Sequence, residues 1–325
     1  MPNITSSTIS RLENLRRQYL RKWARDVIIA AAAVYAWHYA VVNIFYPGVS
    51  GPYSAVTRIL DSEPLFYSYA VCAFLLALAM VWQPLSYRKS IKGMAWPAIC
   101  ESFRNYQLEY HASKRGFKQD AKLVSLSSAK AAEKLYRGTI ENDDVFKGRH
   151  LDYDFEIIEA TMTAGSGRSR TTTFRGLVIG VLAHGLFPAQ AIVLRNGMFK
   201  SPNNKIFKRV KLDGRFEKAY SAFASDEAAA RQMLAAEKIS KITAVASRVE
   251  KAGHNKSPEF AFLGEGFFLF VTTRKNHFEL GHIWSKIDRV RTFRQAVKDI
   301  EAAIGLIKML QQEKLLPCNR RAGRL

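Results

Sequence analysis

The sequence predicts an α+β protein: an N-terminal two-helix transmembrane hairpin, then a cytoplasmic domain of antiparallel strands with packed helices and a long C-terminal amphipathic helix. Three observations predict it. Residues 27–46 and 65–82 are apolar runs without a formal charge. Between residues 153 and 272, β-branched and aromatic runs are separated by Gly-rich turns. From Val290 to Leu310 apolar residues recur every three or four positions. The chain divides into a basic N-terminal segment (1–26), the hairpin (27–85), a basic helical connector (86–150), an α+β domain (151–287), and a C-terminal helix with a basic tail (288–325).

A helix needs about 20 mostly apolar residues to cross a bilayer, with about 17 as the lower limit. Both runs meet that length. The first is too long for the apolar core of a secretory signal, and no small-residue cleavage site follows it in Asn43-Ile44-Phe45-Tyr46-Pro47. It therefore reads as an uncleaved anchor. Six Lys or Arg precede the first run: Arg11, Arg16, Arg17, Arg21, Lys22 and Arg25. The loop Pro47–Pro64 holds only Arg58, and Arg88, Lys89 and Lys92 follow the second run. The excess of basic residues at the outer ends predicts a multi-pass protein of the bacterial inner (cytoplasmic) membrane, with both termini cytoplasmic.

Ala32, Ala36 and Ala40 share one helical face, as do Ala73 and Ala77. Small residues let helices approach closely in lipid, so these faces are expected to pack on each other or on another copy. His38 and Asn43 are the polar members of the first run. They read either as part of a proton or ligand path or as an interhelical hydrogen bond and an interfacial residue. The second alternative is favoured, because no intramembrane carboxylate completes a relay.

Net charge is +21, spread over every segment except the apolar pair. This fits a surface turned toward anionic headgroups as well as a nucleic-acid footprint. Tethering at a membrane and the lack of a recognised motif make nucleic acid the weaker partner. Lipid is the expected partner, with a second copy or another membrane protein as a further one. Cys72, Cys100 and Cys318 form no Cys-x-x-Cys pair, which argues against a disulfide framework or structural zinc.

In the connector, residues 119–137 show near-helical spacing, ended by Gly138. The domain opens with the alternating Tyr153-Asp-Phe-Glu-Ile, turns at Gly165-Ser166-Gly167, and returns through residues 171–183 as a long hairpin. Residues 191–194 form a third strand and 206–212 a fourth. Ser225-Asp226-Glu227 supplies an N-cap residue and acids for a helix reaching about Arg248, broken near Ala235. Glu259–Leu263 and Phe267–Thr272 flank a three-residue turn and predict a second hairpin. Strands, helix and strands without regular alternation give α+β.

The blocks Phe174-Arg-Gly-Leu, Val210-Lys-Leu-Asp-Gly-Arg-Phe-Glu-Lys with Tyr220, Ser225-Asp226 with Arg231, and Phe278-Glu279 occur in an order that resembles a bacterial membrane-anchored family, the domain-of-unknown-function family 3137. The resemblance covers roughly residues 150–285. It implies a membrane hairpin ahead of the domain and no particular activity. This chain departs from the family pattern at Ala229, where an acid is usual, and at Ala235-Ala236, which replace a Thr-Pro step.

Candidate sites are few. Arg168 and Arg170 beside the Gly-rich turn are an anion- or lipid-binding candidate, since two guanidiniums suit a phosphate. The ordinary alternative is a solvated turn, because Gly-Lys-Ser/Thr is missing and the turn links strand to strand. His277-Phe-Glu-Leu-Gly-His282 spaces its histidines by five, which does not suit a zinc helix. No catalytic constellation, cofactor fingerprint or metal set is present. The reading is a membrane-anchored scaffold or binding protein, with a binder of an anionic ligand or an enzyme of unrecognised site as alternatives. The apolar stripe of 288–316 is expected to cover the domain's sheet or to meet a partner helix.

Overall fold

The computed structural model describes residues 6–41, 43, 63–112, 127–182, 187–197, 201–203, 205–212, 214–251, 257–264, 266–280, 282–287, 289–313 and 315–316. The chain forms two compact units. One is helical and comprises Ile4–Ala95 together with Leu280–Phe293. The other is built on a sheet and comprises Trp96–Glu279 and the chain from Arg294.

The helical unit contains α1 (Ser6–Ala40) and most of α2 (Glu63–Cys100). They lie antiparallel. Tyr19 meets Ser90 at 2.7 Å, Trp23 meets Met80 at 3.1 Å, and Trp37 meets Ser68 at 3.1 Å, so partners rise on one helix as they fall on the other. The expected apolar pair is thus a pair of packed helices. The second run lies in α2. The end of the first run, like the loop after it, falls partly outside the described residues.

The sheet unit holds nine antiparallel strands in the order β1-β2-β3-β4-β9-β8-β5-β7-β6. They are β1 (Glu109–Ala112), β2 (Thr139–His150), β3 (Tyr153–Ala164), β4 (Thr171–Leu182), β5 (Ala191–Arg195), β6 (Lys208–Val210), β7 (Tyr220–Ala224), β8 (Glu259–Leu263) and β9 (Gly266–Thr272). Both hairpins expected from alternation are present. β3 pairs with β4 from Asp154↔Leu182 to Ala164↔Thr171, and β8 pairs with β9 through Phe262↔Phe267.

The period of two sorts side chains to two faces. Ile158, Ala160, Met162, Val178, Phe268 and Phe270 point to one face and are covered by α3 (Ser127–Leu135). The buried Glu156 carboxylate accepts the Ser128 backbone N–H at 2.9 Å, placing negative charge at the positive end of α3. Gly180 lets this helix come close, since a Cβ there would lie 2.4 Å from the Ser128 hydroxyl oxygen. α4 (Gly214–Glu217) is a single turn between β6 and β7.

α5 (Glu227–Met233) and α6 (Ala236–Lys251) are the expected helix with its break. The N-cap is Asp226, whose carboxylate accepts the Ala229 N–H at 3.0 Å. On α6 the Lys238 ammonium lies 5.8 Å from the Phe187 ring and 5.9 Å from the Phe262 ring. The long C-terminal helix is α7 (Arg289–Gln312), and its stripe Ala296, Ile300, Ala303, Ile304, Ile307 and Leu310 is buried. Gln311 reaches the His150 carbonyl at the end of β2 at 3.3 Å, and Glu313 pairs with Arg248 of α6.

Three strands were not expected. Residues 139–150, expected in the helical connector, are β2, and 109–112 are β1. The connector's sequence conceals them because polar and charged residues fill most of β2 and the register slips between Asn142 and Val145. β7 lies immediately before the Asp226 cap, where the helix signal begins. The expected helix at 119–137 is seen only as α3, and residues 113–126 lie outside the described residues.

Candidate functional site

In the helical unit the alanine rows, apart from the partly covered Ala40, do not face the partner helix. Ala32, Ala36, Ala73 and Ala77 are exposed. Trp23, Val27, Ala30, Val34 and Trp37 are partly covered instead. Polar bonds set the rotation of the helices. The Trp37 indole N–H donates to Ser68, His38 Nδ1 meets the Tyr69 hydroxyl at 2.8 Å, and Gln83 donates to Asp26 at 2.8 Å. In this geometry the alanines turn outward. His38 is accounted for by an interhelical bond, and the Asn43 amide donates to the Tyr39 carbonyl within its own helix.

The outer surface of the pair is apolar. Ile28, Ile29, Tyr35 and Tyr39 on α1 are exposed, as are Tyr67, Val71, Phe74, Leu75, Leu78, Val81 and Trp82 on α2. Large apolar residues in a contiguous exposed array mark a surface meant for something other than water. Among the described residues one helix is long and apolar enough to cross a membrane, the one containing α2. Its most apolar window has mean hydropathy 1.7, and none of that window is buried.

Beyond the apolar stretch, α1 grips the segment 283–287. Arg16 donates from Nε to one carboxylate oxygen of Glu13 at 2.9 Å and from Nη2 to the other at 2.7 Å, a forked pair that fixes both side chains. Arg16 Nη1 then donates to the Ile283 carbonyl at 3.1 Å, and Glu13 accepts the Ile287 N–H at 3.2 Å. The Arg16 hydrogen bonds hold the Glu13 carboxyl down at about 2 against burial, which pushes the other way. Ile283 and Ile287 are buried, while Trp284 between them is 55% exposed. Its ring stands edge-on to Trp23, with centroids 4.5 Å apart.

The sheet unit carries a buried polar cluster. Asp299 of α7 accepts from Lys275 at 2.8 Å and from Gln295 at 2.8 Å, and lies 3.5 Å from His277 Nδ1. Glu159 of β3 accepts the His277 N–H at 3.1 Å. Burial raises the Asp299 carboxyl, but hydrogen bonds from His277, Lys275 and Gln295 outweigh it and hold the group at about 2. The neighbouring Phe278 is buried with φ +59°, so the chain is sharply bent at the cluster. This arrangement ties α7 to the strand below it. A second buried pair joins the Tyr136 hydroxyl to Glu259. Burial first and the nearby carboxylate second raise the Tyr136 phenol well above its ordinary value, so it stays neutral and donates.

Arg170 donates to Glu141 of β2 and, at 2.9 Å, to the Thr163 hydroxyl, so its guanidinium already has internal acceptors. The Arg168 side chain lies outside the described residues. Among the described residues, one open depression of about 500 Å³ lies between Pro97, Glu101, Arg104 and the β1 edge, and another of about 650 Å³ between Lys130, Lys134 and Lys205. No group of three or more His, Cys, Asp or Glu placed to hold a metal occurs among the described residues. Sequence reasoning missed the Glu13–Arg16 grip and Asp299. The signal for Asp299 was a carboxylate between Ala296 and Ala303 on the buried stripe.

No curated protein matches this chain. The crystal structure of the mycobacterial trehalose monomycolate transport factor A, TtfA, is similar at a TM-score of 0.33 and 10% identity, covering 59% of this chain and 93% of that one. That likeness is too distant to bear on role. Residues 172–312, from β4 into α7, match the family described as Protein of unknown function (DUF3137), the family that the sequence blocks resemble.

Proposed function

We propose that this is a bacterial inner-membrane protein, anchored by α1 and α2, that presents its α+β unit at the cytoplasmic face as a scaffold or binding module. The observation that carries the reading is the exposed apolar surface of the paired helices. In water, exposing such an array is costly. In hydrocarbon it is the favourable arrangement, and both helices satisfy their own backbone hydrogen bonds.

The grip on segment 283–287 supports two crossings over one. Glu13 and Arg16 precede the first apolar run, while Ile283 and Ile287 follow the second. Groups in hydrogen-bond contact lie on one side of a bilayer, so the chain between them crosses an even number of times. The basic flanks place that side in the cytoplasm. The buried His277–Asp299 cluster serves packing, and the depressions at β1 and at Lys130 are open surfaces, which favours binding over catalysis.

The test is a carbonate wash of native membranes combined with reporters fused after Leu325 and in the loop 47–64. Retention in the pellet, with the terminal reporter active only in the cytoplasm and the loop reporter only outside, is the expected result. A freely soluble chain or a periplasmic C-terminus overturns the reading.

A further inference from the structure

The exposed Trp284 has no place in an anchor made of two helices alone. We propose that the loop 282–287 is a third contact with the bilayer, seating Trp284 beside Trp23 and Trp82 at the headgroup level of an anionic lipid surface. The inference rests on the anchoring proposed above.

Three tryptophans mark one level of the helical unit. On α1 the charges end at Asp26 and the apolar run starts at Val27. Trp23, one turn before that boundary, donates from its indole to the Met80 carbonyl at 3.1 Å. Trp82, two residues on, is 62% exposed near the end of the second apolar run. Trp284 meets Trp23 edge-on, so the loop stands at this same level. Indole rings favour the zone where apolar chains meet wet headgroups, since the ring body is apolar and the N–H needs a partner.

The backbone of the loop is held. Arg16 fixes the Ile283 carbonyl and Glu13 the Ile287 N–H, and both isoleucines are buried. Trp284 is therefore displayed outward from a pinned loop. A ring serving only to pack the loop would be covered along with its neighbours. The charge around it is positive: the exposed Lys22, Arg25 and Lys286 at this level outnumber Asp26, which pairs with Arg25. Cations near an anionic leaflet are drawn to it, so the loop's lysine and the helix's basic residues act together.

The full chain is reconstituted into vesicles of phosphatidylcholine and phosphatidylglycerol in which the phosphatidylcholine carries bromine at a shallow or a deep acyl position. Tryptophan quenching is read for the chain and for Trp284→Phe, Trp37→Phe and Trp23→Phe. The emission lost on Trp284→Phe is expected to be quenched more by shallow than by deep bromine, and to shift to the red when phosphatidylglycerol is omitted. Comparison with Trp23→Phe separates the two touching rings. If the Trp37 share is quenched and the Trp284 share is not, the anchor stands and this contact is wrong. If neither is quenched, the anchoring itself fails. A Trp284 share shielded from both bromine and aqueous iodide means a protein partner covers it, which also overturns the lipid contact.

Discussion

The carboxylate of Glu13 accepts the backbone N–H of Ile287 at 3.2 Å, across a sequence separation of 274 residues. Local sequence cannot specify such a contact. It depends on the forked Arg16 pair to hold the carboxylate in place.

Glu13→Gln removes the charge from that pair and weakens the acceptor at Ile287. A hydrogen bond to a charged group contributes about 1.5–3 kcal/mol, so opening of the loop becomes roughly tenfold or more easier. Amide exchange at Ile287 in detergent-solubilised chain checks this, with the sheet strands as an internal reference. Exchange at Ile287 that does not accelerate would show that the loop is held by Ile283 and Ile287 burial alone.

Asp299 is the acid whose loss is expected to cost most in the sheet unit. Its folded carboxyl lies at about 2, below the ordinary value of 3.8. A depressed acid stabilises the fold fully above its unfolded value, and that contribution disappears as pH falls through its folded value. Stability should therefore decline between about pH 4 and pH 2 in part through this group. Asp299→Asn is expected to cost about 3 kcal/mol at neutral pH by leaving Lys275 and His277 without their anion, and to flatten that part of the acid slope. Urea titration at a series of pH values measures both.

Gly138→Ala tests the turn into β2. Gly138 has φ +119°, and a Cβ there would sit 2.1 Å from the Thr163 carbonyl oxygen. Strain of this kind costs about 1–3 kcal/mol before the clash is counted, and the clash falls on backbone that cannot swing aside. A lowered urea midpoint with unchanged slope is expected. An unaltered midpoint would mean that β2 and β3 can separate here without penalty.

Phe74→Asp probes the outer surface of α2. An aspartate near the middle of a spanning helix costs about 2.5–3.5 kcal/mol for insertion, which corresponds to roughly a hundredfold loss of membrane partition. The carbonate-resistant fraction should fall sharply, while Glu133→Gln on the sheet unit should leave it unchanged. Full retention of the Phe74 variant would deny that this face meets lipid.

How much of this was legible depended on whether a side-chain period survived. β3, β4, β8 and β9 keep near-continuous or alternating apolar residues and were readable to within a residue or two. So were the break between Met233 and Ala236 and the long stripe of α7. β2 was not, because Asp143 and Asp144 interrupt its alternation at the slip before Val145. Only the fold shows that Asp144 is buried and accepts from Tyr110 at 2.9 Å. The alanine rows follow a related rule: spacing gives a face but not its direction, and Ala32, Ala36, Ala73 and Ala77 turn away from the other helix, which leaves packing on another copy. Bonds from Trp37, His38 and Gln83 decided which way each helix turned. The spacing of His277 and His282 points only to metal, because the carboxylate beside His277 is Asp299, further along the chain on α7.

The order of synthesis gives the grip on α1 one more meaning. Residues 283–287 leave the ribosome after the nine described strands, so Glu13 and Arg16 wait for these partners until the sheet segments have been made. A nascent chain cut short before Ile283 carries both apolar runs and the nine described strands, yet leaves Glu13 and Arg16 ungripped. Closure of that contact therefore follows synthesis of the sheet, so the first helix to be made is among the last elements to be locked.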